Sequence, residues 1–350
     1  MGRKEAFNGF RCTQCGHEFQ DREVVSTCRK CNGLLDTVFE EGFFREKSKT
    51  MLSSEPSMWR FRPFLPVTAD DRIVTAGEGN TSLRRVKSDR GRVWVKDETR
   101  NPTGTFKDRG ASLAVTCLAQ RGVEKIVLAS EGNAGCSFAL YSSMARIQCS
   151  VFLPKLANPE KVLLTKKLGA KVHRVKGTIG DAGRRAATEA ARTGAYNAST
   201  FVTPFRHDGK GTMALEICEG LGWSSPSWIV YPIGGGVGLV GMWKMFKILK
   251  NIGWIDRTPR LVGVQPEGCA PIVKSYNLGR EDVEEWKSPR TIALAGKLDL
   301  KKYLENHDSY HALKRLRSLI LTGYTGTNVN DIAIVCYHPA KYVSKNSDLS

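Results

Sequence analysis

Short apolar runs alternate with amphipathic stretches along most of the chain beyond residue 75. Val93-Trp94-Val95 reads as a short strand, and Gly110 to Gly122 as a helix stopped by its last glycine. Lys125 to Ala129 is a buried strand running out at Ser130, followed by a helix over Ala134 to Ala145. A strand over Cys149 to Leu153, a helix over Glu160 to Leu168 and a strand over Lys171 to Val175 come next. Further on, Trp228 to Ile233 and Arg260 to Gln265 read as strands enclosing a helix over Leu239 to Asn251. This rhythm is that of parallel sheets covered by helices. In such sheets ligands gather at the carboxyl ends of strands, beside helix N-termini. The unusual short motifs of this chain fall at those places. Residues 41 to 75, with Pro56, Pro63 and Pro66 among aromatics, read instead as a connecting segment. No internal repeat or low-complexity tract interrupts the pattern.

A length of 350 residues suffices for two domains and a small appendage. Hydrophobic and charged contents of 41% and 25% are ordinary, but a formal net charge of +18 is not. The basic residues are dispersed, with only short clusters such as Lys166-Lys167 and Lys301-Lys302. Without a basic run interleaved with aromatics, the charge points away from nucleic acid and toward small anionic ligands. The N-terminus carries no apolar leader, and position 6 lacks the Ser or Thr of a myristoylation motif. Gly220 to Lys244 is uncharged up to its last residue and long enough to cross a bilayer. Pro226, Pro232 and its glycines would make a poor lipid-facing helix, so it reads as a buried strand entering a glycine loop. The expectation is a cytoplasmic protein with no membrane partner.

Four of the ten cysteines stand as Cys12-x-x-Cys15 and Cys28-x-x-Cys31. Gly16 and Asn32 follow the second Cys of each pair, as tight turns require. Two such knuckles put four thiolates around one ion, and all-sulfur tetrahedral sites select zinc. Four thiolates close the coordination sphere, so the expected role is structural. The other six cysteines lie among apolar neighbours and read as small buried hydrophobes in a reducing compartment.

The first motif with chemistry in it is Asn101-Pro-Thr-Gly-Thr-Phe-Lys107-Asp-Arg-Gly110. A lone lysine opening a helix is ordinarily a solvated charge, but here Pro102 and Gly104 shape a turn between strand and helix. This run resembles the pyridoxal-phosphate lysine motif of threonine synthases almost residue for residue. The resemblance extends upstream through Lys96-Asp-Glu-Thr99 and Gly77-Glu-Gly-Asn-Thr-Ser-Leu83. It implies that Lys107 holds pyridoxal 5'-phosphate as a Schiff base. A neighbouring cation and a helix N-terminus would lower the lysine's pKa, which suits that bond.

Ser130-Glu131-Gly132-Asn133-Ala-Gly135 follows a buried strand and resembles the family's asparagine loop. The resemblance implies that Asn133 bonds the cofactor's phenolic oxygen and that backbone N–H groups of Ser130, Glu131 and Gly132 receive the substrate carboxylate. Gly234-Gly235-Gly236-Val237-Gly238 follows a strand, and its glycines let backbone N–H groups approach a phosphate closely. Gly236-x-Gly238-x-x-Gly241 also satisfies a dinucleotide fingerprint, which needs an acidic residue about twenty positions on at a strand end. Asp256 has the spacing but precedes its strand, and Glu267 lies too far along, so the phosphate of pyridoxal phosphate is the better occupant. Pro204-Phe-Arg206-His-Asp-Gly-Lys-Gly-Thr212 resembles the family segment contacting the substrate's phosphate, with the match on Arg206. A guanidinium fork can grip a phosphate in two places.

The resemblance is dense from residue 10 to about 290 and thins after Pro289-Arg-Thr-Ile292. The family continues through a Glu-Pro-Ser segment to a last strand placing a hydroxyl against the pyridine nitrogen. Leu321-Thr-Gly-Tyr-Thr-Gly326 echoes that strand without its preceding segment, and Lys341 to Ser350 reads as a frayed tail.

What the resemblance implies is an α/β protein with the fold of the type II pyridoxal-phosphate enzymes, related to the tryptophan synthase β chain. Its parts would be a zinc ribbon over 1–40, a large cofactor-binding domain over 41–108 and 205–350, and a smaller domain over 109–204. The implied reaction converts O-phosphohomoserine and water to threonine and phosphate, in a homodimer. The sequence leaves open a cysteate synthase, a threonine dehydratase, or an impaired paralogue acting by binding alone. One methylene of substrate separates some of these, and a sequence does not resolve that.

Overall fold

The computed structural model describes residues 6–20, 26–45, 49–68, 72–87, 91–284 and 286, and the backbone of 332–337. The chain opens with a small antiparallel sheet of order β2-β1-β3, made of β1 (Phe7–Cys12), β2 (Glu18–Phe19) and β3 (Leu35–Phe39). Gly16 and Asn32 adopt φ of 68° and 59°, the left-handed turns that let each Cys pair fold back on itself. A short helix α1 (Glu41–Arg45) follows, then a single-turn segment over Lys49–Met51 and a 3-10 helix over Met58–Phe64. That 3-10 helix corrects the expectation of a mere connector. Met58, Trp59, Phe61 and Phe64 are fully buried, and Phe64 stacks on Phe44 at 4.3 Å. Pro63 lies within it and Pro56 and Pro66 flank it; the aromatics between them form core.

Next come β4 (Leu83–Val86), β5 (Arg92–Asp97), α2 (Lys107–Gln120), β6 (Lys125–Ala129), α3 (Asn133–Met144), β7 (Gln148–Pro154), α4 (Pro159–Lys167) and β8 (Lys171–Val175). The chain goes on through α5 (Ile179–Thr193), β9 (Tyr196–Asn197), α6 (Arg206–Gly220), β10 (Trp228–Pro232), α7 (Val237–Asn251), β11 (Arg260–Val264), α8 (Pro271–Asn277) and β12 (Ile332–Tyr337). The periodicity reading located most of these within a few residues. It passed over α5, although Thr178 and Asp181 form a reciprocal capping box and Gly194 closes the helix at φ 69°.

The four-stranded sheet, order β8-β7-β6-β9, is wholly parallel. The five-stranded sheet, order β11-β10-β12-β5-β4, is mixed. Its β10–β11 pair is parallel, while β12 runs antiparallel to both β10 and β5, and β4 antiparallel to β5. A parallel sheet throughout was the expectation; the short β4–β5 connection can close only an antiparallel pair. β12 pairs from Ile332↔Asp97 to Tyr337↔Arg92, so a C-terminal strand does enter this sheet. Leu321 to Gly326, Pro289 to Ile292, Lys301-Lys302 and Lys341 to Ser350 lie outside the described residues.

Helices α2, α6 and α7 cross at glycines. A side chain on Gly110 would strike the Arg206 carbonyl, and one on Gly211 the Gly241 carbonyl at 3.0 Å. Backbone contacts this close bring three helix N-termini to one place. Among the described residues no helix is long and apolar enough to cross a membrane.

Candidate active site

Four of the motifs singled out in the sequence open helices, and the openings converge. Lys107 begins α2, Asn133 begins α3, Arg206 begins α6 and Val237 begins α7. Lys107 is half-buried, with its Nζ 3.5 Å from the centre of the Phe106 ring. Phe106 meets Tyr231 edge-on at 5.7 Å, and the Tyr231 hydroxyl occupies the space a side chain on Gly238 would need. One aromatic pair thus spans the lysine and the glycine loop. In that loop Gly236 takes φ 83°, Gly234 and Gly235 are exposed, and Val237 and Gly238 are buried. The loop is anchored from behind by Gln265, whose Nε2 donates to the Gly234 carbonyl at 3.3 Å.

The asparagine loop is built around Ser130, whose Oγ accepts from the N–H groups of Gly132 (3.0 Å) and Gly135 (2.9 Å). Gly132 takes φ 147°, a conformation closed to other residues, and Asn133 is buried. Glu131 is exposed. Ser137, one turn into α3, donates to the Asn133 carbonyl and shares a 3.1 Å contact with the Thr103 hydroxyl. Thr103 in turn donates from N and Oγ1 to Asp108, both at 2.7 Å. A hydrogen-bonded chain therefore locks the asparagine helix to the lysine turn. Burial pushes the Asp108 carboxyl up to about 6.

Arg206 is buried, donates from Nη1 to the Ala198 carbonyl at 2.9 Å, and lies 5.1 Å over the Phe138 ring of α3. Its Nε is buried without a partner, and burial lowers the guanidinium to about 10. Lys210, one turn on, is also buried and donates to the Arg206 carbonyl at 3.1 Å. The sequence reading quoted Lys210 but gave it no role. Its spacing from Arg206 on one helix was the available signal.

Beneath the site, the segments that extended the resemblance upstream become one buried charge network. Arg109 grips Glu98 (2.6 and 2.7 Å) and Glu216 (both 2.8 Å), and Lys96 reaches Glu216 at 2.5 Å. Asn80 and Thr81 donate backbone N–H groups to Glu216, at 2.7 and 3.3 Å. Burial pushes Glu216 up, but Arg109 and Lys96 outweigh it and hold the carboxyl well below its usual range.

In the ribbon, the ligating atoms of Cys12, Cys15, Cys28 and Cys31 lie within 4.8 Å of one another. Cys12–Cys31 and Cys15–Cys28 are 3.4 and 3.8 Å apart, against about 3.8 Å for the edge of a zinc tetrahedron. The backbone N–H groups of Cys15 and Gln14 point at the Cys12 sulfur and lower its thiol to about 6. The four sulfurs fit a zinc ion. Asp36, His207 and Asp208 form a second cluster of ligand type, but the Lys244 amine already fills it, 2.7 Å from Asp36 and 2.8 Å from Asp208. That cluster joins the ribbon to α6 and α7.

The α/β architecture, with its separate four- and five-stranded sheets, is that of the fold type II pyridoxal-phosphate enzymes, and residues 74–315 match the family model "Pyridoxal-phosphate dependent enzyme". The solved O-acetylserine dependent cystathionine beta-synthase of Helicobacter pylori shares the fold, with a TM-score of 0.50 at 24% identity, covering 63% of this chain and 74% of its own. Threonine synthase of Methanocaldococcus jannaschii is 35% identical over 81% of this chain and 72% of its own length. That of Methanosarcina acetivorans is 32% identical over 93% and 79%. The chain belongs to the threonine synthase family.

Proposed function

We propose that this protein converts O-phosphohomoserine and water to threonine and phosphate in the cytoplasm, using pyridoxal phosphate. The four helix N-termini opening at these motifs, together with a buried Arg206 that has no carboxylate partner among the described residues, support a site for two phosphates, the cofactor's and the substrate's. Lys107 would hold the cofactor through Nζ, the Asn133 amide would meet its ring oxygen, and the N–H groups of Gly234, Gly235, Gly236, Val237 and Gly238 would receive its phosphate. When bound, the cofactor supplies an electron sink for negative charge on substrate carbon.

The remaining work falls to the chain. The Glu131 backbone N–H orients the substrate carboxylate, while the N–H groups of Ser130 and Gly132, given to the Phe152 carbonyl and the Ser130 Oγ, hold the loop in shape behind it. Lys107 Nζ, released from the cofactor, removes the α-proton and relays later protons as base and acid. Arg206 neutralises the phosphate as it departs from the γ-carbon, and water adds at the β-carbon. The Cys12, Cys15, Cys28 and Cys31 thiolates would hold one zinc as a structural clamp, measurable as one equivalent of metal per chain. The expected assembly is a homodimer acting on a small anionic amino acid, without nucleic acid or membrane.

The test is the visible absorbance of cofactor-reconstituted protein, read with phosphate release on adding O-phosphohomoserine. The expected result is a band that shifts with substrate, threonine and phosphate forming one to one, and loss of the band in Lys107→Ala. A band without turnover sinks the substrate assignment and sends the test to phosphoserine with sulfite. No band sinks the enzyme.

A further inference from the structure

Two basic side chains stand one turn apart at the start of α6, both buried, and among the described residues neither forms an ion pair. The nearby carboxylates are engaged elsewhere. Asp208 is held by Lys244, Glu216 by Arg109 and Lys96, and Asp108 by Thr103. Arg206 makes one hydrogen bond through Nη1 and leaves Nε without a partner. Lys210 reaches back along the helix toward its N-terminus, where Nζ meets the Arg206 carbonyl. The amine sits where a side chain on Gly110 would be, 2.6 Å from that position, one turn below Lys107. Its Nζ is 5.9 Å from the centre of the Phe106 ring, the ring that Lys107 covers.

Two cations sealed in an interior without a counter-charge are costly, and a bound anion removes that cost. We infer that Lys210 is the second cation of the substrate-phosphate site, holding with Arg206 the phosphate that leaves and so selecting phosphorylated amino acids; this rests on the phosphate-releasing reaction proposed above. Burial drives the Lys210 ammonium well below the usual lysine range, and the charges of Arg206 and Lys107 add to that. Those two are the charged groups whose fields reach it, one from its own helix and one from α2. The arrival of a phosphate dianion reverses the balance, so the amine takes up a proton as the anion binds.

The experiment compares holoenzyme with Lys210→Gln and Lys210→Met. Three quantities are read: the cofactor band, KM and kcat for O-phosphohomoserine, and calorimetric binding of inorganic phosphate. Calorimetry is run in two buffers of different ionisation enthalpy near pH 8.5, where most free phosphate is already the dianion. Both variants are expected to keep the band. KM should rise and phosphate affinity fall by about 10- to 100-fold, with kcat changing less. Wild type should take up a proton with phosphate, and the variants should not. Lys210→Gln retains a donor for the Arg206 carbonyl and decides the matter if the Met variant does not fold. Unchanged KM and phosphate affinity in that variant overturns the inference, and so does loss of its cofactor band, which assigns the amine to the cofactor instead. Wild type that binds phosphate through Lys210 but does not turn over O-phosphohomoserine sinks the substrate reading and leaves the lysine assignment standing.

Discussion

Replacing Glu216 by Gln tests whether the charge network under the site is balanced as its geometry implies. Lys96, Glu98, Arg109 and Glu216 are 1%, 0%, 0% and 4% exposed, and their formal charges cancel. The Glu216 carboxylate accepts from Arg109 twice, from Lys96, and from the N–H groups of Asn80 and Thr81. Glu216→Gln leaves the shape and turns two cations toward one anion, with an amide N–H₂ forced against a cationic donor. Breaking a buried pair from one side costs about 3–5 kcal/mol. Adding Lys96→Met removes the surplus cation and should return about half of that, so the two changes are non-additive. The assay is the midpoint of chemical unfolding followed by circular dichroism, with cofactor concentration held fixed. The depressed Glu216 pKa gives a second signature: its stabilisation is complete above about pH 5 and disappears as pH falls through the folded value. A loss below about 1 kcal/mol in the single variant, or strict additivity in the pair, would refute the reasoning.

Gly241→Ala should destabilise by about 1–3 kcal/mol, because its Cβ would meet the His207 carbonyl and lie 3.1 Å from the Gly211 nitrogen. Gly183→Ala in α5, with open space around it, should instead raise the unfolding midpoint slightly. For Asp108, raised by burial to about 6 from about 3.8 in the unfolded chain, stability is full below pH 4 and falls by about 3 kcal/mol as pH rises through 6. Asp108→Asn should abolish that slope in pH-dependent unfolding, whatever its effect on absolute stability. Asp36→Ala removes the ribbon carboxylate held by His207 and Lys244, which overcome its burial and hold it well below the usual range, and leaves Lys244 its bond to the Thr37 carbonyl. The expected loss is about 1 kcal/mol, discounted for its partial exposure, present at neutral pH and absent in acid.

Most of the strands were legible because they are short apolar runs bounded by turn residues, and Lys125–Ala129 and Lys171–Val175 fall where the pattern put them. β12 carried the same signal in Ile-Ala-Ile-Val-Cys-Tyr, a continuous apolar run. It went unread because the last strand was sought at Leu321 to Gly326, where the motif lay. The 3-10 helix over Met58–Phe64 was hidden by its prolines, which mark turns whether or not the aromatics between them are core.

Helix α6 shows why periodicity fails at the site itself. Its first thirteen residues are buried on every side, and they include Arg206, His207, Asp208, Lys210 and Glu216. A pattern reading assumes that charges mark the solvent face, so a helix with charges on all faces reads as a loop. Here the charges face partners instead. Asp208 meets Lys244 of α7, Glu216 meets Arg109 of α2, and His207 meets Asp36 of the ribbon. Only Arg206 and Lys210 lack a carboxylate among the described residues, and they stand at the helix N-terminus beside Lys107. The local rule is broken most completely where nothing within the fold compensates for it, which is where a ligand's charge must do so.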